Sequence, residues 1–414
     1  MLKNYFKIAI AVLKRRKFFT FISLFGISFT LTILIVLTSF LDHLLSPSYP
    51  DINRDRELYI NKMIYRSTKN DFFNGDSPSF YFYQHYVPTL KTPFKLALYT
   101  GTEYTNAYQN NKKIVFEQKY TNIAYWEVYQ FRFIEGKPFN QQELKNADHV
   151  VVISENARDS YFGKNVLATG KYLEANNIKY RVIGVVKTAP YLDFYCYADL
   201  YLPYTLAKID LKSHDLMGGF SATVLANSSA DLPKIRAEYL QMVKKIPVAE
   251  TKDKEMNVIN SYADYYLEGY CRGIVSYEDA LNKVYFYFGL FIIFFMLLPT
   301  INLVNINISR IMERSSEIGV RKAFGASSKT LTYQFIVENL ILTLLGGILG
   351  IIFSSLVIYL INRAEFVPNL RMHINLTVLF YGLLACLIFG LLSGVYPAWR
   401  MSKLNVVTAL KTNN

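Results

Sequence analysis

Four long stretches without a single charged side chain dominate this sequence. They cover residues 18–41, 284–308, 340–361 and 376–399. An α-helix rises about 1.5 Å per residue, so each stretch is long enough to cross the roughly 30 Å hydrocarbon core of a bilayer. A single stretch also suits a buried helix of a soluble protein. Four of them, each of at least 22 residues, predict an integral membrane protein with four transmembrane helices.

The rest of the chain is too polar to lie within a membrane. Charged residues make up 19% of the 414 residues, although 52% are hydrophobic. This mixed composition predicts apolar spans combined with a polar domain of residues 42–283, inserted between the first two spans. The first apolar stretch exceeds the roughly 7–15 apolar residues of a cleaved signal peptide, so we predict that it is a retained helix.

Positive charge is concentrated next to the predicted spans. Residues 1–17, 309–334 and 400–414 together hold 14 basic and two acidic side chains, which is 12 of the net 13 positive charges. Residues 42–283 are nearly neutral, with 29 basic and 28 acidic side chains. Basic loops stay in the cytoplasm. Both termini and the 309–339 connection are therefore predicted to be cytoplasmic, and the inserted domain and the short 362–375 loop lie on the other side.

The basic residues do not indicate nucleic-acid binding, because they flank spans instead of forming one folded surface. Within residues 1–17, Lys3, Lys7 and Lys14 share one helical face and apolar residues share the other. This pattern is typical of a helix that lies in the inner membrane interface, with its lysines near anionic lipid headgroups.

The inserted domain has the pattern of a mixed α+β fold. Short β-branched runs at 149–153 and 180–186 predict strands. Ser154 is placed to cap a helix over 155–162, and Asp231 to cap a second helix over 231–246, with Pro233 in its first turn.

Cysteine usage leaves two alternatives open. Cys196 and Cys271 both belong to the inserted domain, where a disulfide could persist. Two unpaired buried thiols are the other interpretation. The third cysteine, Cys386, falls within the fourth predicted span.

The sequence lacks the usual signatures of catalysis. It contains no G-x-x-x-x-G-K-[ST] phosphate loop, no G-x-S-x-G motif and no cluster of residues with metal-ligand spacing. We therefore expect a non-catalytic chain that binds neither ATP nor a metal ion.

Small residues recur at helix-packing spacing in the last two spans. Gly346 and Gly350 are four residues apart in the third span, and Gly390 and Gly394 repeat this spacing in the fourth. Glycines at this spacing let two helix backbones approach closely, which makes these four residues candidates for helix packing.

Three segments show a resemblance to a known family. Residues 305–327 read NINISRIMERSSEIGVRKAFGAS, residues 390–411 read GLLSGVYPAWRMSKLNVVTALK, and residues 150–163 read VVVISENARDSYFG, followed by YRVIGVVK at 180–187. Together they resemble the permease subunits of MacB/FtsX-type ABC transporters. The tail departs from the family pattern, because Asn405 and Val406 stand where Asp-Pro is usual.

The resemblance implies a cytoplasmic coupling segment within 309–339 that docks into a partner ATPase. The residues that match this segment are Glu313, Arg314, Glu317, Ile318, Gly319, Arg321, Lys322, Gly325 and Ala326. It also implies two cytoplasmic ATPase subunits that bind ATP and Mg²⁺, a second permease in a homo- or heterodimer, and an outer segment folded as porter- and sabre-like subdomains. Only 17 residues precede the first span and 15 follow the last, so we expect the ATPase on another chain.

The resemblance further implies mechanical transmission, in which ATP-driven movement of the coupling segment tilts the spans and moves the outer domain. We expect a multi-pass inner-membrane protein that serves efflux, with a periplasmic adaptor and an outer-membrane channel, or lipoprotein extraction, with a lipoprotein carrier. Regulation of a cell-wall hydrolase, as in division-type relatives, is the alternative. A membrane-anchored binding module without an ATPase is a third.

Overall fold

The computed structural model describes residues 10–11, 13–15, 17–69, 73–109, 111–247, 257–275, 281–291, 328–364 and 372–374, with isolated positions between 293 and 388. The chain divides into two compact units. The first contains two long helices, and the second is the inserted domain, Leu45–Tyr285. The helices are α1 (Lys17–Leu45), α2 (Phe80–His85), α3 (Tyr125–Val128), α4 (Gln141–Lys145), α5 (Glu155–Tyr161), α6 (Leu232–Lys244), α7 (Tyr266–Val275) and α8 (Ser328–Ala364).

Two of the described helices are long and apolar enough to cross a membrane. They are α1 and the Ile336–Ala364 part of α8. Helix α1 continues four residues beyond the predicted 18–41, and α8 begins well before the predicted 340–361. The predicted spans 284–308 and 376–399 lie largely outside the described residues, although 281–291 are helical.

Three threonines of helix α1 satisfy their hydroxyl groups within the helix. The hydroxyls of Thr30, Thr32 and Thr38 donate to the backbone carbonyls of Gly26, Ser28 and Leu34, at 2.8, 2.7 and 2.6 Å. A hydroxyl that bonds the carbonyl four residues earlier leaves no unpaired donor in an apolar environment. The helix can therefore include several threonines and still span a bilayer.

The inserted domain is built on a ten-stranded sheet and a small three-stranded sheet. The large sheet runs β1-β12-β4-β6-β11-β8-β10-β9-β5, with β7 paired to β10, and the small sheet runs β13-β2-β3. The strands are β1 (Glu57–Ile60), β2 (Met63–Arg66), β3 (Phe73–Asp76), β4 (Phe94–Thr100), β5 (Glu103–Gln109), β6 (Lys112–Thr121), β7 (Phe133–Gly136), β8 (Val150–Ser154), β9 (Tyr172–Ala175), β10 (Ile178–Val186), β11 (Leu200–Pro203), β12 (Phe220–Ala226) and β13 (Val258–Ser261).

The large sheet closes on itself at one end. Strand β5 pairs with β6 along its whole length and with β9 at Ala107 and Ala175, so β6, β11, β8, β10, β9 and β5 form a ring. Its interior is filled by apolar side chains from alternate positions, among them Phe116, Val151 and Leu173. Strand β6 also pairs with β4 and thereby joins the ring to the open β1-β12-β4 part.

Two further cores stabilise the open part of the sheet. Helices α2 and α6 cover one core, in which Phe82, Phe220 and Tyr239 are fully buried. An aromatic core that includes Tyr59, Tyr99 and Tyr125 forms the other. Burying such large side chains stabilises the domain mainly by removing apolar area from water.

Several local predictions are confirmed. The 149–153 and 180–186 runs are β8 and β10, and the Ser154 side chain accepts a hydrogen bond from the backbone N–H of Ala157 at 3.0 Å. Asp231 is the N-cap residue of α6 and Pro233 lies in the first turn, as predicted, but the Asp231 side chain makes no capping hydrogen bond. The Asp231 carboxylate instead lies 3.7 Å from the Lys234 ammonium, with helical backbone angles that do not aim it at the free N–H groups.

Candidate functional site

The predicted coupling segment lies almost entirely outside the described residues. All nine candidate residues are in this category: Glu313, Arg314, Glu317, Ile318, Gly319, Arg321, Lys322, Gly325 and Ala326. Two neighbours are described, and the side chains of Val320 and Phe324 are 47% and 89% exposed. The docking role of the segment therefore stays a prediction.

The glycines of the third span lie against the first helix. A Cβ atom at Gly346 would stand 2.8 Å from Cβ of Ile27, and one at Gly350 would stand 2.8 Å from Cβ of Leu31. The hydroxyl oxygen of Thr32, whose hydrogen bonds the Ser28 carbonyl, lies 3.3 Å from the carbonyl oxygen of Gly350. Any larger residue at either glycine would push α1 and α8 apart. Gly390 and Gly394 are outside the described residues.

The beginning and the end of the inserted domain are joined to each other. We call residues 46–61 and 262–275 the neck, because the first segment follows α1 directly and the second is the last part of the domain that the structure describes before residues 281–291. The backbone N–H of Tyr59 donates to the carbonyl of Asp264 at 2.7 Å, and the N–H of Asp264 donates back to Tyr59 at 2.9 Å. A Cβ atom at Gly269 would lie 3.1 Å from Cβ of Tyr59. Helix α7 therefore packs so closely on β1 that the contact leaves little room for a side chain at this position.

A buried arginine links the two parts of the neck to a third segment. The Arg54 guanidinium pairs with Asp51 at 2.6 Å and with Asp193 at 3.2 Å. Its carbon Cζ also lies 3.8 Å from the centre of the Tyr266 ring, which is the first residue of α7. Planar guanidinium groups stack on aromatic rings and pair with carboxylates at once. One side chain thus connects the start of the domain, the end of the domain and the loop before β11.

Two other ion pairs hold α7 in place. Arg272 pairs with Asp264 at 2.6 Å, and its guanidinium stacks on the Tyr262 ring at 3.9 Å. Arg236 of α6 pairs with Glu268 of α7 at 2.8 Å. The Arg272 pair lies within the second neck segment, whereas the Arg236 pair joins α7 to α6.

Burial shifts the acid–base properties of these groups. Burial and then the neighbouring Asp51 charge raise the pKa of Glu57 to about 10. Burial and the same neighbour raise the pKa of Asp193 to about 6. For Arg54, burial disfavours the charged form, but the charges of Asp193, Tyr266 and Asp51 outweigh burial and raise its pKa.

A buried lysine stabilises the loop that carries Asp193. The Lys119 ammonium donates to the carbonyls of Phe194 and Tyr195, both at 2.8 Å, and the residue is fully buried. Burial lowers the pKa of Lys119 to about 8, so the group is charged at neutral pH. Lys119 and Arg54 together fix the position of this loop beside the neck.

The described residues hold no group of three or more His, Cys, Asp or Glu that could bind a metal ion. Cys196 and Cys271 are free and buried, so the disulfide alternative is not realised in this structure. Sequence reasoning missed the neck, because its partners are far apart in the chain: Arg54 and Asp193 are separated by 139 residues. No local spacing pattern marks such a pair.

Comparisons with known proteins agree with this architecture. The MacB-like periplasmic core domain matches residues 20–241, and the FtsX-like permease C-terminal domain matches residues 289–406. The first match alone covers more than half of the chain.

The chain belongs to the MacB/FtsX-type ABC transporter permease family.

Similar proteins include the macrolide export ATP-binding/permease protein MacB of Escherichia coli (strain K12). It is 24% identical over 302 residues, which are 73% of this chain and 44% of that protein. The MacB protein of Salmonella typhimurium (strain LT2) is 25% identical over 289 residues, or 69% of this chain and 42% of that protein. This MacB/FtsX-type chain therefore spans less than half the length of these relatives.

Solved structures with some similarity to this chain include domains of two transporters. The extracellular domain of the noncanonic ABC-type transporter YknZ from Gram-positive bacteria gives a TM-score of 0.34 at 15% identity, covering 44% of this chain and 91% of that domain. The periplasmic region of MacB from Actinobacillus actinomycetemcomitans gives a TM-score of 0.32 at 17% identity, covering 45% of this chain and 84% of that region.

Proposed function

We propose that this chain is a non-catalytic permease subunit that transmits ATP-driven movement from a separate cytoplasmic ATPase to its extracytoplasmic domain. The observation that carries this proposal is the neck. Residues that follow the first span and residues that precede the second predicted span are held together by two backbone hydrogen bonds, a glycine contact and the Arg54–Tyr266 stack. Packed elements of this kind move as one body, because interiors are close-packed.

The neck explains how a movement of the spans would reach the domain. If the two segments were flexible linkers, tilting of the helices would be absorbed by the linkers. Since the backbone hydrogen bonds of β1, the ion pair between Arg54 and Asp193 and the contact of the Tyr266 ring fix both segments to the folded domain, the displacement would pass to the whole inserted domain. This is a shear or hinge transition driven from one end.

The partners follow from the same proposal. Two ATPase subunits would supply bound ATP and Mg²⁺, and a second permease chain would complete the transporter. The family, and its relatives that are macrolide export proteins, favour efflux, with an adaptor and an outer-membrane channel, over lipoprotein extraction with a carrier.

The docking role is tested by a pair of charge-reversal variants. The tagged full chain is purified from its own host, and vanadate-sensitive ATPase activity and a co-purifying ABC ATPase are measured. Glu317→Lys in the coupling segment is expected to remove both, since the residue would sit in the ATPase interface. Glu365→Lys makes the same charge change in the short loop and serves as control. Equal recovery of the ATPase with both variants would contradict the assignment.

The orientation is a second element of the proposal. From the positive charge next to the spans we propose that both termini and residues 309–339 lie in the cytoplasm. A cysteine at Val115, which is 50% exposed on β6, should react with a membrane-impermeant maleimide in intact spheroplasts. A cysteine at Val320 should react only after permeabilisation. The reverse pattern would place the domain in the cytoplasm.

A further inference from the structure

The neck, taken together with the buried Asp193 and Lys119 beside it, contains one more buried acid than buried base. Three carboxyl groups, those of Asp51, Glu57 and Asp193, are 0–4% exposed and face the guanidinium of Arg54 and the ammonium of Lys119. An uncompensated charge in a protein interior is costly, and such a group usually neutralises instead. One bound proton would make this cluster neutral.

The hydrogen bonds around Tyr59 require the same proton. Its hydroxyl lies 3.0 Å from Oδ2 of Asp51 and 2.7 Å from Oε2 of Glu57. A phenol has one hydrogen and can donate to only one of these oxygens. The other contact would join two oxygens without a hydrogen unless a carboxyl group supplies it. Oδ2 of Asp51 already accepts from Arg54 at 2.6 Å, so Glu57 is the group that donates.

The second oxygen of Glu57 supports this assignment. Oε1 of Glu57 is buried without a hydrogen-bond partner among the described residues. An anionic oxygen in that position lacks the solvation that a carboxylate needs, whereas the carbonyl oxygen of a neutral acid requires much less. Both observations come from geometry and agree with the charge count.

We propose that Glu57 binds a proton in the folded domain and donates it to Tyr59, whose hydroxyl in turn donates to the carboxylate of Asp51. The chain of hydrogen bonds then runs from Glu57 through Tyr59 to Asp51 and ends on Arg54. It connects β1 with the segment before it, inside the neck. The bound proton is therefore a structural component of the neck.

The titratable and charged groups around this site come from several segments. Burial and Asp51 raise the pKa of Glu57 to about 10, in agreement with the protonated form at neutral pH. The groups that face the cluster are Asp51, Arg54 and Tyr59 from the start of the domain, Lys119 from β6, Asp193, Tyr195 and Cys196 from the loop, and Tyr266 from α7.

Proton binding makes the stability of the domain depend on pH in a definite direction. Between the ordinary pKa of a glutamic acid and the raised value near 10, the folded chain holds a proton that the unfolded chain has lost, so stability falls as pH rises. Asp193 acts in the same direction only up to about pH 6, and Lys119 opposes it above about pH 8. Between pH 6 and 8, the pH dependence of stability therefore comes mainly from Glu57.

Infrared spectroscopy of the full chain tests directly whether Glu57 is protonated in the folded domain. Wild-type protein in detergent at pH 7.5 should show the carbonyl stretch of a protonated carboxylic acid, and the band should persist from pH 6 to 8. Glu57→Gln should remove that band, because the amide cannot ionise and still donates to Tyr59. Glu127→Gln, at a half-exposed glutamate, should leave it unchanged. A wild-type spectrum without the band, or a band that survives in Glu57→Gln, would overturn the proposal.

Thermal unfolding gives an independent readout. In the wild type, the unfolding equilibrium should shift by up to about tenfold per pH unit between pH 6 and 8, which lowers the melting temperature by about 3–5 °C per unit. Glu57→Gln should lose most of this slope, and Glu127→Gln should keep it. Equal slopes in all three proteins would contradict proton binding at Glu57. If Glu57→Gln does not fold, the wild-type infrared titration alone decides.

Discussion

The closest packing in the neck is at Gly269, where α7 crosses β1. A Cβ atom there would meet Tyr59 at 3.1 Å and both Asn61 and Tyr195 at 3.3 Å. We expect Gly269→Val to lower the free energy of unfolding by about 1–3 kcal/mol, as overpacking typically does. Gly273→Val on the same helix is the matched control, since no atom lies within 4 Å of that position. Melting temperatures of the full chain measure the difference, and equal values would contradict the contact.

Replacing Arg54 is predicted to lower the free energy of unfolding more than replacing Gly269. Its replacement in Arg54→Met leaves the buried carboxylates of Asp51 and Asp193 without their partner, and breaking a buried pair in this way costs about 3–5 kcal/mol. Lys95→Met breaks the exposed pair with Glu127, whose side chains are 55% and 51% exposed, and should cost about 0–1 kcal/mol. Chemical denaturation measures both. A loss for Arg54→Met as small as that for Lys95→Met would argue against the buried cluster.

The neck residues show where prediction from sequence ends at this scale. Ser154 could be predicted as a cap because its partner, the N–H of Ala157, is three residues away. Arg54 and Tyr59 also have partners more than a hundred residues away, at Asp193 and Asp264. Only the folded sheet brings them together, so neither charge nor spacing in the sequence marks them.

At the scale of the elements, the contact between α1 and α8 depends on two glycines. Gly350→Leu would insert a side chain where Leu31 already lies at 2.8 Å, and we expect a loss of about 1–3 kcal/mol or a separation of the two helices. Gly26→Leu, at a position of α1 with no atom within 4 Å, should be tolerated. Heat stability in detergent compares the two. Equal stability would show that α1 and α8 do not pack through Gly350.

Elements with local signals were predictable, and their assembly was not. The charge-free runs predicted α1 and the apolar part of α8, and the β-branched runs predicted β8 and β10. The ring of six strands could not be predicted, because its closure depends on the pairing of Ala107 with Ala175. Small residues at those positions carry no signal of which strand they face. The N-terminal end of α8 also extends beyond the apolar stretch of the helix, since helices continue into polar sequence when nothing breaks them.

At the scale of the whole molecule, the chain combines membrane helices with a domain whose first and last segments are joined at the neck. The family assignment fixes the kind of protein, and the fixed neck gives a physical reason why the domain would follow the spans. The central claim is that ATP hydrolysis by a partner moves this domain. That claim requires a change in position of the domain, driven from the coupling segment.

The most direct test measures that change by electron paramagnetic resonance. Spin labels are placed on Val115→Cys of β6 and Tyr333→Cys of α8, which are 50% and 63% exposed; Cys386 is replaced by alanine, and the buried Cys196 and Cys271 are kept. The full transporter, labelled on one copy of the chain, is compared without nucleotide and after trapping with ATP and vanadate. We predict that trapping shifts the distance distribution and that Glu317→Lys abolishes the shift. Identical distributions in both states, with ATP hydrolysed at the normal rate, would contradict the account.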